Sequence, residues 1–121
     1  MLKITPGIVR GAYEFLTLTE PFVKWNLPNA EDVQFRVGKP NDNSQAWHEY
    51  DPNNGRHEIG VSVKVISLTD TLLQAVAHEM IHMHQALTKT YTGKVMHNKA
   101  FVKWAEKVCT AHGWDAKLFV V

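Results

Sequence analysis

The chain has 121 residues, 45% of them hydrophobic and 21% charged, a size that suits one ordinary domain and buries roughly two-thirds of the surface its unfolded chain exposes. Lys plus Arg is 13 and Asp plus Glu is 12, for a net charge of +1, and one cysteine stands beside seven histidines. These figures argue against a domain that holds nucleic acid by charge alone, and they exclude an internal disulfide framework or a multi-cysteine zinc ribbon. No apolar run approaches the roughly 18 residues of a membrane span, and residues 1–6 lack the long apolar stretch of a secretory signal. The expectation is a soluble, cytoplasmic chain folded as a single domain over residues 1–121.

Thr5-Pro6 reads as a helix start, with Pro at the first helical position, and Ile8, Ala12, Phe15 and Leu16 then recur at helical spacing. Phe22, Val23 and Trp25 follow Pro21, and Leu27-Pro28-Asn29 ends the run. One helix, broken or kinked near Pro21, is predicted over residues 6–26. Val33, Phe35 and Val37 alternate with Gln34 and Arg36 as in a half-buried strand. Residues 38–44 have loop chemistry, residues 46–50 form a second strand, and Asp51-Pro52-Asn53-Asn54-Gly55 is a turn. Ile59, Val61, Val63 and Val65 alternate with Glu58, Gly60, Ser62 and Lys64 in the clearest strand of the chain. The runs flanking the turn are expected to pair as a hairpin.

Helical spacing returns at residue 70. Thr71 and Gln74 offer a capping box, with Asp70 as a competing cap. Leu72, Leu73, Val76, Ala77, Met80, Ile81 and Leu87 occupy one broad face of a helix that reaches about residue 88. A polar connection leads to a last helix over about 98–112, which Gly113 stops. Helix, three strands, helix, helix is an α+β arrangement with segregated elements.

Within the second long helix the chain reads His78-Glu79-Met80-Ile81-His82, an H-E-x-x-H string. Residues four apart lie about 40° apart around a helix, one turn above each other. Two imidazoles so placed can reach one metal ion from a rigid backbone. The glutamate falls to the side, where it can take a proton from water that the ion activates. The bland alternative is a set of ordinary core polar groups, which in so apolar a helix would be costly to bury without partners.

A catalytic zinc needs a third protein ligand and an open position. The extended motif H-E-x-x-H-x-x-G-x-x-H is absent, because Gln85 and Thr88 stand where its glycine and histidine would be. His97 and Glu106 are the candidates for the third ligand. His97 is favoured: it stands at the mouth of the last helix, on a face shared with Phe101, Trp104 and Val108. His84 reads as a packed or solvated histidine, or an outer-shell group; His48 and His57, in or beside the hairpin, read by default as exposed strand residues, and either could approach a substrate. His112 sits near a helix C-terminus and needs no function. Lys99, Lys103 and Lys107 read as a solvated face rather than a groove for DNA. The aromatic residues are mostly core material, with Trp47 the one to watch.

At these residues the sequence resembles the SprT-like metalloproteases, the family that includes the Spartan protease of DNA–protein crosslinks. The resemblance is carried by Leu72-Leu73, by His78-Glu79-Met80-Ile81-His82 and by His97-Asn98-Lys99-Ala100-Phe101, over about residues 59–108. The family pattern is H-E-x-x-H followed, after a loop, by H-G-x-x-F, and Asn98 stands where glycine is usual. The resemblance implies a small zincin-like fold, one zinc ion held by His78, His82 and His97, and Glu79 as catalytic base. It also implies hydrolysis of peptide bonds, with DNA-associated proteins among the substrates. The lone cysteine excludes the zinc ribbon that many relatives append.

The expected function is a minimal zinc metalloendopeptidase with a protein or peptide substrate and no membrane partner. Tyr50, Tyr91 and His84 are candidates for a further donor to the reacting carbonyl. The hairpin edge around Trp47 to Tyr50 is a candidate track for an extended substrate strand. The alternative is a catalytically inactive, zinc-stabilised binding or regulatory module, its fourth position blocked by a side chain. A metal-dependent nuclease is disfavoured because the chain lacks an acidic cluster.

Overall fold

The computed structural model describes residues 3–38, 45–62, 69–90 and 97–120. The first helix, α1 (Pro6–Leu16), opens as its sequence requires, with Thr5 Oγ1 accepting from the Ile8 amide at 3.2 Å. It is shorter than the predicted span to residue 26. The Thr17 and Thr19 hydroxyls donate to the carbonyls of Glu14 and Leu16, both at 2.7 Å, and the main chain tightens to i→i−3 bonds at Leu18 and Thr19. Threonine hydroxyls thus compete for the last helical carbonyls. Pro21 brings no amide with which to continue the helix, and only a 3₁₀ turn, Phe22–Lys24, follows. The buried stripe is Val9, Ala12, Tyr13 and Leu16, so the inward face is offset from the one predicted, and Ile8 and Phe15 are exposed.

Three strands follow: β1 (Val33–Gly38), β2 (Ala46–Asp51) and β3 (Arg56–Ser62). β2 and β3 pair antiparallel as the predicted hairpin, while β1 pairs parallel to β3, giving the order β1-β3-β2. The turn is closed by Asp51 Oδ1 accepting from the Asn53 amide and Asn54 Oδ1 from the Arg56 amide, both at 2.9 Å. Gly55 there takes a positive φ of 70° that favours glycine. The predicted continuation of β3 through Val63 and Val65 lies outside the described residues, as do residues 39–44 and 91–96. The register aligns Ala46, His48 and Tyr50 with Val61, Ile59 and His57, and Val33, Phe35 and Val37 with the same β3 residues in reverse order. This face turns to the helices. On the other face Trp47 lies over Gly60 so closely that a β-carbon there would overlap the indole ring. Trp47 Nε1 donates to Glu58 Oε2 at 2.8 Å, and Glu58 Oε1 meets Arg36 Nε at 2.6 Å.

The long helix α2 (Thr69–Thr88) begins before the predicted capping box, so Thr71 and Gln74 lie inside it and Gln74 instead donates to Asp70 Oδ2. From Ala75 to Gln85 every residue except the half-buried His78 is buried, whereas Leu87 is exposed. A helix buried on nearly all sides is the centre of the molecule rather than a cover for one side. It packs against α1, β2 and β3, and also against α3 (Lys99–His112). Asn98 caps α3 by accepting from the Phe101 amide, and Gly113, at φ 77°, ends it. A short helix not expected from the sequence, α4 (Ala116–Val120), completes the chain. Asp115 Oδ1 accepts from the Lys117 amide at its start, and Trp114 Nε1 donates to Asp70 Oδ1 at 3.0 Å, tying this end to the start of α2. The architecture is α+β, with four α-helices and a small three-stranded sheet among the described residues. No helix among the described residues is long and apolar enough to cross a membrane.

Candidate metal centre

α2 carries His78 and His82 on one side, one turn apart, and the chain entering α3 brings His97 to them. His97 stands two residues ahead of Lys99, the first helical residue, so it belongs to the approach to α3 and not to the helix. One nitrogen of each ring lies within 4.8 Å of the other two. His78 Nε2 and His97 Nε2 are 3.1 Å apart, and zinc–nitrogen bonds of about 2.0–2.1 Å in a tetrahedral site would place two nitrogens about 3.3–3.4 Å apart. Phe101 forms an apolar floor, its ring centroid 4.8 Å from that of His78, 4.6 Å from His82 and 4.5 Å from His97. The phenylalanine four residues after His97 therefore has a mechanical role: one turn into α3, it backs all three imidazoles.

Hydrogen bonds select the tautomers of the two helical histidines. His78 Nδ1–H donates to the Phe119 carbonyl of α4 at 2.9 Å, and His82 Nδ1–H donates to Gln85 Oε1 at 3.0 Å. Each ring therefore carries its lone pair on Nε2, on the side of the cluster, which is how ligand histidines are ordinarily held. With His78 Nε2 an acceptor, the 3.1 Å contact is a bond donated by His97 Nε2–H. Burial holds all three rings neutral, pushing His78 and His82 down to about 4 and His97 below its ordinary value. Neutral imidazoles, two of them oriented by outer partners, suit a divalent transition metal such as zinc.

Glu79 follows His78 on α2, is 7% exposed, and has its carboxyl pushed up to about 8 by burial. Glu106, the alternative third ligand, is exposed on α3 and stands outside the histidine cluster. Lys99, Lys103 and Lys107 are exposed, as a solvated face would be.

The remaining histidines depart from expectation in one respect. His48 and His57 are not exposed strand residues. The sheet register turns both toward the helices, His57 is 3% exposed, and His48 Nε2 bonds His57 Nδ1 at 2.9 Å. Burial, together with His57 and His82, pushes His48 down to about 3. Tyr50 packs on His57, while His84 is committed to Trp25, stacked at 4.0 Å, and to Trp104. Tyr91 lies outside the described residues. His112 is structural, bonding the Val108 carbonyl and the Thr19 hydroxyl and stacking on Trp114. Periodicity could not have singled out Gln85 or Phe119. Gln85 stands at i+3 from His82 on a helix expected to be apolar, and the contribution of Phe119 is a main-chain carbonyl.

A pH dependence follows from these burials. His48, His57, His78, His82, His84 and His97 are all harder to protonate folded than unfolded. Below the ordinary value of 6.5 the unfolded chain binds more protons, so the metal-free protein loses stability as pH falls from 6.5 through about 4. Glu79 has the opposite sign. Its raised value adds stability below its ordinary 4.5 that is lost as pH rises through about 8. Six histidines outweigh one glutamate where the two limbs overlap, so the thermal midpoint of chelator-treated protein is expected to be highest near pH 6.5 and to fall steeply on the acid side. A midpoint unchanged from pH 6.5 to 4 would contradict this.

The sequence profile of the SprT-like family matches residues 12–118. That span takes in the second half of α1, the whole sheet, α2 and α3 and enters α4, well beyond the segment in which the motifs are visible by eye. A search of curated proteins finds no match.

Proposed function

The chain belongs to the SprT-like family, and from that premise we propose that it is a zinc-dependent metallopeptidase with a zincin-like site. The observation that carries this reading is the convergence of His78, His82 and His97, with the tautomers of the two helical ligands already set, beside a nearly buried glutamate on the same helix. The three histidines hold one zinc ion. Bound there, zinc supplies Lewis-acid chemistry, polarising a peptide carbonyl and acidifying water. Glu79 is the general base. It takes a proton from the attacking water as the new carbon–oxygen bond forms, and delivers it to the leaving amine as the carbon–nitrogen bond breaks. Phe101 backs the three imidazoles with an apolar ring and keeps solvent from that side of the cluster. Among the described residues β2 pairs with β3 on one side alone, and an extended peptide adds to its other edge near Trp47 to Tyr50 through main-chain hydrogen bonds. Such recognition reads backbone more than side chain and suits substrates of varied sequence, DNA-associated proteins among them.

The test is incubation of the zinc-loaded protein with an unfolded protein substrate, with and without chelator and with and without DNA. Cleavage that chelator abolishes and zinc restores is expected. A requirement for DNA supports substrates bound to DNA. Full zinc occupancy without cleavage in any arm would overturn the enzymatic reading in favour of a zinc-stabilised binding module.

A further inference from the structure

His78 and His82 receive the same kind of bond at Nδ1 by different routes. For His78 the acceptor is a main-chain carbonyl, which can only accept. For His82 it is the side-chain amide of Gln85, which could present either its oxygen or its nitrogen. The choice is made further along. The Phe101 amide can only donate, and Asn98 Oδ1 faces it at 3.0 Å; the Thr90 carbonyl can only accept, and Asn98 Nδ2 faces it at 2.9 Å. Both ends of the Asn98 amide are therefore set by main chain. Asn98 Oδ1 also takes the bond from Gln85 Nε2 at 2.9 Å, which leaves Gln85 Oε1 turned to His82. The Thr90 amide donates to the Gln85 carbonyl at 3.0 Å, closing a ring of bonds across the junction between α2 and the approach to α3. Gln85 is 0% exposed, so water does not compete for its amide.

We propose that Gln85 and Asn98 are positioning residues that relay the polarity of the main chain at Thr90 and Phe101 to His82, setting its Nδ1–H tautomer before any metal binds. The lone pair on His82 Nε2 is thereby prepaid in the folded chain, and the same ring holds the segment bearing His97 against α2. The consequence for metal affinity rests on the zinc reading above; the consequence for the tautomer does not.

The experiment therefore reads both. Nitrogen-15 spectra of the imidazoles in the metal-free protein at neutral pH report the tautomer of each histidine, and competition with a chromophoric chelator reports zinc affinity. In the unaltered protein His78 and His82 are both expected as Nδ1–H. In Gln85→Leu and in Asn98→Gly, His82 moves to a mixture that includes Nε2–H, while His78, held by Phe119, stays as it was and serves as the internal control. Zinc affinity falls about 10–100-fold, the usual cost of losing an outer partner of a ligand histidine. Asn98→Asp gives up the bond to the Thr90 carbonyl but keeps an acceptor for the Phe101 amide and Gln85 Nε2, so His82 is expected to retain the Nδ1–H form. Asn98→Gly carries the test if Gln85→Leu does not fold, because glycine at an N-cap costs only a few tenths of a kcal/mol. A folded Asn98→Gly whose His82 remains wholly Nδ1–H, with unchanged zinc affinity, overturns the proposal. If the unaltered protein takes up no zinc but the His82 tautomer shifts in the variants, the metal reading falls and the positioning role stands.

Discussion

Glu79→Gln is expected to abolish peptide hydrolysis while zinc stays at one ion per chain. The amide matches the carboxylate in shape but cannot carry the proton from water to the leaving amine, and loss of a general base costs about 10²–10⁴-fold in rate. Fold stability should not suffer. The carboxyl is 7% exposed and is pushed up to about 8, so its ionisation within the protein is already disfavoured, and a neutral amide removes that penalty. Above pH 8 the variant should unfold at a temperature at least as high as the parent. Turnover measured beside zinc content decides the matter: substantial cleavage by a zinc-loaded Glu79→Gln protein would remove the glutamate from the mechanism.

His97→Ala is expected to empty the site. His78 and His82 would remain one turn apart on α2, but the nitrogen 3.1 Å from His78 Nε2 would be gone. Losing a ligand should cost more than the 10–100-fold that follows loss of an outer partner. Zinc content after dialysis, with Glu106→Ala as the control, gives the answer. Glu106 is exposed and outside the cluster, so its removal should leave occupancy unchanged. If His97→Ala retained full zinc, the third ligand would lie elsewhere. Truncation at residue 97 should also relieve the His78 ring of its hydrogen-bonded neighbour, so the two substitutions at positions 79 and 97 separate chemistry from metal retention.

Much of this was legible residue by residue. Thr5-Pro6 and Asn98 mark helix starts, Gly113 marks a stop, and the turn from Asp51 to Gly55 marks a hairpin, because each choice is made by atoms within a few positions of one another. The spacing of His78 and His82 belongs to the same class, since helical geometry alone puts them on one side. α1 shows the limit of such local inference. Ile8 and Phe15 fit a helical period as well as Val9 and Tyr13 do, and only packing against α2 and β1 decided which stripe was buried.

His48 and His57 illustrate the limit in a sheet. Polar residues on a short hairpin are ordinarily exposed, but the register between β2 and β3 put both on the face turned to the helices. Asn98 looked like a departure from the family pattern, and its side chain proves to be engaged by Gln85, Thr90 and Phe101 at once. Nothing in its sequence neighbourhood announces a partner 13 residues away.

Composition, apolar periodicity and the H-E-x-x-H string determined by themselves an α+β chain with one cysteine, little net charge and two histidines able to meet one ion, because these properties depend on counting or on the repeat of a helix or strand. The tertiary structure alone decided that β1 runs parallel to β3, that His97 completes the cluster over Phe101, and that the Phe119 carbonyl and Gln85 set the two tautomers. Most of these features join segments that lie far apart in the chain, and Gln85, only three residues from His82, has its amide oriented by Asn98, 13 residues further on. A main-chain carbonyl is present at every residue, so no residue type can advertise the one that will be used; only the packing of α4 and α3 against α2 selects it.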